Sequence, residues 1–323
     1  MLRSEHAVEL QGSGSPHAIG WRVQRLDVHV RDRTDNSKFI MDILADILRR
    51  LPNLRVLTFS ITGHGYDESL DHVPENVLQA TDACRDTLRL LNWYGGVEFS
   101  SNSWAWFLEN HPQIEAINAP VVLTRLGNSH IVLDSLKSIY VDYRTRASNI
   151  HQNIMMLWDI NLPNVRHATC HISRGVSTSF DVFLRNMGSR LTSIQFNIST
   201  YDYDAEALSR IVAFCTNLTR VDLVFFQWLM PLFTIPKSVH TLGIRINGRQ
   251  IPRRSMETFF VCLHFLLSLS SSVKRFCFTD QRDVRTLRAH SRVLKLYLPR
   301  IHKLDVNVLD HEGRLLVALD ESG

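Results

Sequence analysis

A short apolar frame recurs along this chain and restricts how it can fold. The frame is an apolar residue, two others, a second apolar residue, one other, and a third. Its clearest copy is Leu54, Leu57 and Phe59, inside the stretch LPNLRVLTFS from Leu51 to Ser60. Further copies begin at Val23, Leu88, Ile114, Leu136, Val165, Leu191, Leu218, Val239, Val273 and Ile301. These eleven copies follow one another at about 28 residues on average. The second and third apolar positions are two apart, the period of a strand, so both point to one face. The first position sits at the turn into the strand. Entries such as Leu51-Pro52, Leu162-Pro163 and Leu298-Pro299 are expected to stop the preceding helix and set extended backbone.

Between frames the apolar period becomes helical. Phe39, Ile40, Ile43, Leu44, Ile47 and Leu48 make one apolar face after the first strand. Looser helical patterns cover residues 76–87, 104–110, 149–158, 179–187, 205–214, 255–269 and 283–296. The unit is therefore strand, turn, helix. The few apolar side chains of one unit cannot offset the entropy of ordering its backbone. Stacking gives each apolar face a neighbour and each inner strand two partners. The expected fold is an α/β, right-handed solenoid (horseshoe) over residues 21–309, with a parallel inner sheet of about eleven short strands and outer helices. Residues 1–20 read as a flexible leader or partial cap, and residues 310–323 as a C-terminal tail. The shortest gaps, from 114 to 136 and from 218 to 239, leave room only for extended or short helical outer segments.

The five cysteines are odd in number and form no Cys-x-x-Cys pair. That pattern suits a reducing compartment, cytoplasmic or nuclear, and argues against a disulfide framework or zinc site. The longest apolar run, 259–269, is interrupted by His264 and is too short to span a bilayer. A net charge of +4 is too small to imply nucleic acid by itself. Phosphate-binding loops, a His-Glu-x-x-His helix and a Gly-x-Ser-x-Gly elbow are missing from the sequence. No enzyme activity, cofactor or metal is therefore expected.

Several groups still invite a chemical reading. His64, in the Gly-rich stretch from Thr62 to Asp67, would anchor a dispersed hydrolase-like site, but it reads better as part of a loop. Asp202, Asp204 and Glu206 alternate as metal ligands do, yet acids at a helix start cap it. Arg282, Arg285, Arg288, Arg292 and Lys295 lie mainly on one side of a helix; they read as a solvated face, with a phosphate backbone or acidic partner as the alternative. Phe225, Phe226, Trp228, Leu229, Met230, Pro231 and Phe233 crowd a unit without room for a helix. They either pack beneath the neighbouring helices or present Phe226 and Trp228 as partner anchors. Strand residues between the frame positions face away from the core. Among them Asn92, Asn118, Tyr140, Asp142, Arg144, His167, His171, Arg220 and Asp222 make a polar, mixed-sign row suited to protein recognition.

The series of frames resembles the leucine-rich-repeat superfamily, over most of the chain from Val23 to Val308. The asparagine that many members carry after the strand is mostly missing; Asn247 is near that place in one unit. Entries like Leu-Pro-Asn-Leu-Arg-Val-Leu are similar to the repeat region of fungal F-box leucine-rich-repeat proteins. That resemblance implies a substrate-recognition role in a ubiquitin ligase, with a protein partner or ubiquitination substrate on the repeats. A cullin–RING ligase adaptor would dock on an F-box. None is recognisable: residues 1–22 are too short for one and the helix near 36–51 belongs to the first repeat. Ligase membership thus requires the docking element in a lost or degenerate form. A non-catalytic protein-binding module is the leading expectation. A nucleic-acid-associated scaffold using the basic helix, and the hydrolase, are the alternatives.

Overall fold

The computed structural model describes residues 20–30, 37–61, 73–94, 101–118, 131–141, 160–172, 184–198, 205–225, 227–228, 230–246 and 253–317. The chain divides into two compact units, Met1–Leu136 with Asp159–Pro163, and Lys137–Trp158 with Asn164–Gly323. It is an α/β protein with an open parallel sheet of eleven strands.

In the first unit β1 (Arg25–Val30), β2 (Val56–Ile61), β3 (Leu90–Tyr94) and β4 (Ala116–Asn118) lie side by side in that order. A separate minor pair joins β5 (Ile131–Val132) to β7 (Ile160–Asn161). The helices are α1 (Ser37–Leu48), α2 (Glu75–Ala80), continued by a 3₁₀ turn over Thr81–Cys84, and α3 (Ser101–Asn110). The frame residues of β2 and β3 are buried, and Phe59 stacks on Trp93 with ring centroids 4.4 Å apart.

In the second unit the order is β6 (Ser138–Val141), β8 (His167–Ile172), β9 (Ser193–Ile198), β10 (Arg220–Phe225), β11 (Thr241–Ile246), β12 (Arg275–Phe278) and β13 (Asn307–Leu309). Its helices are α4 (Ala205–Ala213), α5 (Arg253–Ser268), α6 (Gln281–Ala289) and α7 (Ser291–His302). Residues 230–240, in the short gap before β11, form neither helix nor strand and hold one turn, in keeping with their spacing. No helix among the described residues is long and apolar enough to cross a membrane.

The backbone repeats more strictly than the sequence. At most entries the N–H of the first frame residue donates to the carbonyl three residues earlier; Leu88 instead donates to Cys84, four earlier (2.9 Å). Leu54 donates to Leu51 (3.2 Å), Ile114 to His111 (3.1 Å), Leu218 to Cys215 (3.1 Å) and Val273 to Ser270 (3.1 Å). The next two N–H groups then share one carbonyl of the preceding repeat. Arg55 and Val56 share that of Gln24, Thr219 and Arg220 that of Thr192, and Lys274 and Arg275 that of His240. The position three before the frame is in several repeats a fourth core position, buried as Leu51, Leu133, Leu162 and Cys215, although Arg85 before Leu88 is exposed. Gly188 occupies it because a Cβ there would lie 2.5 Å from the carbonyl oxygen of Phe214. His111 occupies it too. Its Nδ1 lies 2.8 Å from the carbonyl of Phe107 and its Nε2 3.3 Å from that of Thr81; burial pushes its pKa down.

Four expectations need correction. In α1 the buried stripe is Met41, Leu44, Ala45 and Leu48, while Phe39 is 63% exposed. The buried stripe is therefore rotated from the expected one, taking in Met41 and Ala45. The single helix over 283–296 is two, since His290 leaves helical geometry (φ −110°, ψ 48°) between α6 and α7. Pro299 does not end a helix but lies inside α7. The last frame, placed at Ile301, Leu304 and Val306, is shifted. Ile301 belongs to α7, and register pairs Phe276 with Val308, so Asp310 falls in the third apolar slot. Burial opposes its charge, yet the N–H groups of Arg314 and Glu312 donate to Oδ1 (3.0 Å each) and hold its carboxyl below the usual range. The segment read as a tail begins with this turn and returns to β13 through an antiparallel bridge from Leu315 to Leu309. The segment at 149–158 lies outside the described residues, as does most of 179–187.

Cys84, Cys170 and Cys215 are buried. Desolvation pushes the thiols of Cys84 and Cys215 up to about 12 and that of Cys170 well above its ordinary value. Iodoacetamide should therefore label only the half-buried Cys262 and Cys277 in the native protein, and all five cysteines after unfolding. Comparable native labelling at Cys170, read by peptide mass spectrometry, would contradict this packing.

Candidate functional site

Alternation along each strand sends the frame residues into the core and their neighbours to the opposite, open face. In β9 burial alternates residue by residue from Ser193 to Ile198. Parallel in-register pairing then lines the open-face residues up in rows across the strands.

In the first unit, register aligns Asp27, Thr58, Asn92 and Asn118. Their side chains form one directional hydrogen-bond chain. Asn118 Nδ2 donates to Asn92 Oδ1 (2.7 Å), and Asn92 Nδ2 donates to Thr58 Oγ1 (3.1 Å). The Asp27 carboxylate ends the chain: Arg25 donates to it at 2.7 Å, and that bond, followed by one from Thr58, holds its carboxyl below the usual range. Each donor points toward Asp27, so the bonds polarise one another in the same sense. One row further along the strands, His29 Nδ1 meets Ser60 Oγ.

In the second unit, one row runs Thr169, Gln195, Asp222, Gly243 and Cys277. Beside it runs His167, Ser193, Arg220, Thr241 and Arg275. Arg220 grips both carboxylate oxygens of Asp222, at 2.7 and 2.8 Å, and the Asp222 hydrogen bond raises its pKa. This fork lies over Gly243, where a Cβ would come within 1.8 Å of Asp222 Oδ1. Gly243 is therefore the notch that seats the pair. Gln195 Nε2 donates to Asn197 Oδ1 (2.9 Å), and Arg245 faces Asp280 at 3.2 Å. Cys277 lies beyond the notch, its thiol pushed up by burial.

The expected residues fare differently. Asn92 and Asn118 are bonded to each other, and Arg220 is bonded to Asp222. Tyr140 pairs in register with Thr169, and His171 with Asn197. His167 lies opposite Ser138. Asp142, Arg144 and Phe226 lie outside the described residues, as do His64, Asp202 and Asp204. Trp228 is a correction. It is 4% exposed and cannot anchor a partner; its ring packs edge-on against Phe259 and tilted against Phe278. With no helix in its own repeat, the indole fills that space beneath α5. Phe225, Met230 and Phe233 are buried too.

Sequence reasoning missed Gly243. Gly243 carries no side chain to notice, and its role exists only across a strand pair.

No family model matches this chain, and no curated protein matches it.

Proposed function

We propose that this chain is a non-catalytic protein-recognition module, built as a leucine-rich-repeat solenoid, whose open strand face holds the partner. The recurring entry turn and shared carbonyl support the solenoid, because a repeat that reproduces its backbone bonds stacks by one operation. The observation that carries the binding reading is the chain from Asn118 to Asp27. Side chains already held by one another lose little rotamer freedom when a partner docks. The Arg220–Asp222 fork offers the same advantage in the second unit. Such a module fits the substrate-holding part of an F-box-type ubiquitin ligase subunit.

The test is affinity capture from native cell extract, followed by titration of whichever protein is captured. Asn92→Ala and Asp222→Ala are each expected to weaken that protein's affinity by about tenfold, without a change in melting temperature large enough to explain it. Intact affinity in both variants would remove the open face from the reading. Co-recovery of cullin and F-box adaptor subunits would support the ligase assignment; their consistent absence would leave recognition without it.

A further inference from the structure

A second surface lies on the helical side of the second unit. Helix α5 turns Phe259, Phe260, Leu263, Leu266 and Leu267 into the core. Its opposite stripe holds Val261 (52% exposed) and Phe265 (50%), continued just past the helix end by Leu269 (70%), at successive intervals of four residues. From residue 255 to 269 the only formal charge is Glu257. A solvent-facing helix stripe ordinarily carries charges; from Val261 to Leu269 this one carries none.

Helix α7 packs beside it, with the Tyr297 ring stacked on Phe260 at 5.5 Å. The outer face of α7 adds Leu296, which is 48% exposed. Beyond the apolar stripe the charge is one-sided. Residues 281–303 contain seven Arg or Lys and a single acid, Asp283, which is buried. Their formal +6 exceeds the +4 of the entire chain.

We infer that the outer face of α5 and α7 docks an acidic amphipathic helix from a partner protein. Its apolar edge lies along Val261, Phe265, Leu269 and Leu296, and its carboxylates face the cationic side formed by α6 and α7. The asymmetry selects this occupant. A nucleic-acid backbone has no use for an uncharged apolar stripe. A bilayer favours cations ringing the inserted apolar groups, whereas residues 255–269 carry no Lys or Arg. A helix with one apolar and one acidic edge matches both halves of the surface. The observations are independent of the open strand face.

The probe is a labelled helical peptide with Leu along one face and Glu along the other, titrated into the full chain by fluorescence anisotropy. A companion peptide carries Lys in place of every Glu. The Glu peptide is expected to bind at least about tenfold tighter, with affinity falling as salt rises. Phe265→Asp and Arg285→Glu, both at exposed positions, should each weaken it by about tenfold or more while melting as the native chain does. Equal binding of the two peptides, or full affinity in both variants, overturns the inference. So does binding of phosphatidylserine vesicles or duplex DNA through Phe265 and Arg285 where the Glu peptide does not bind.

Discussion

Replacing Trp228 with alanine is expected to destabilise the second unit by about 3–5 kcal/mol, the range for deleting a buried aromatic side chain. The indole joins a ring cluster centred on Phe278. It meets Phe259 at 5.3 Å and Phe278 at 6.4 Å, and those rings contact Phe260 at 5.4 and 6.5 Å respectively. Alanine leaves a void that α5 cannot close without pulling these rings off their packing. Phenylalanine is the informative control. The indole Nε1 is buried and has no hydrogen-bond partner, a defect that costs roughly 1–3 kcal/mol. Trp228→Phe removes that orphan donor along with part of the ring, so the two effects oppose each other. A net change within about 1 kcal/mol is expected. Urea unfolding followed by circular dichroism measures both. A loss below about 1 kcal/mol for the alanine variant would mean that this cluster is not the core of the unit.

Asp283→Asn is expected to stabilise the protein at neutral pH by about 2–3 kcal/mol. Asp283 stands in the first turn of α6, and its Oδ2 accepts the N–H of Ile246 at 2.7 Å, tying the end of β11 to the helix. Burial outweighs that bond and pushes its carboxyl from 3.8 up to about 6. The folded state therefore holds the proton more tightly than the unfolded state. Between about 3.8 and 6 the native chain binds more protons, so stability falls as pH rises through that window. The contribution is fully present below about 3.8 and lost above about 6. Asparagine keeps an acceptor for Ile246 and carries no charge. Its advantage should be large at pH 7 and small near pH 4. Melting curves across that range would count against this account if the difference between variant and native protein were the same at both ends.

These two residues also show what a sequence hides. Trp228 sits in a repeat too short for a helix, so its neighbours in the chain give no sign of what covers it. The cover comes from α5 and β12, about 30 and 50 residues later. Asp283 lies among arginines and reads as a surface acid, yet α6 turns it inward with Val284 and Leu287. Asp310 breaks the apolar pattern of the last repeat. A carboxylate can fill an apolar slot when backbone N–H groups satisfy it, and local bonding of that kind has no periodic signature. By contrast, Val273, Phe276 and Phe278 were legible at once. All three are apolar, all three are buried, and their spacing matches the strand they form.

The period of the apolar frames determined by itself that this chain forms short strands separated by helical or extended returns. Strands in the same direction joined by such returns pair in parallel, because a crossover brings each back to the same end. Tertiary structure alone decided how the helices rotate about their axes and which open-face side chains meet. In α1 the buried stripe takes Ala45 and leaves Phe39 exposed, a choice the apolar pattern alone does not make. The link from Asn118 to Asp27 needs four strands in exact register, and a one-residue slip would send each of its members to the opposite face. Side chains separated by 26 to 34 residues become hydrogen-bond partners only because pairing brings their strands side by side in that register.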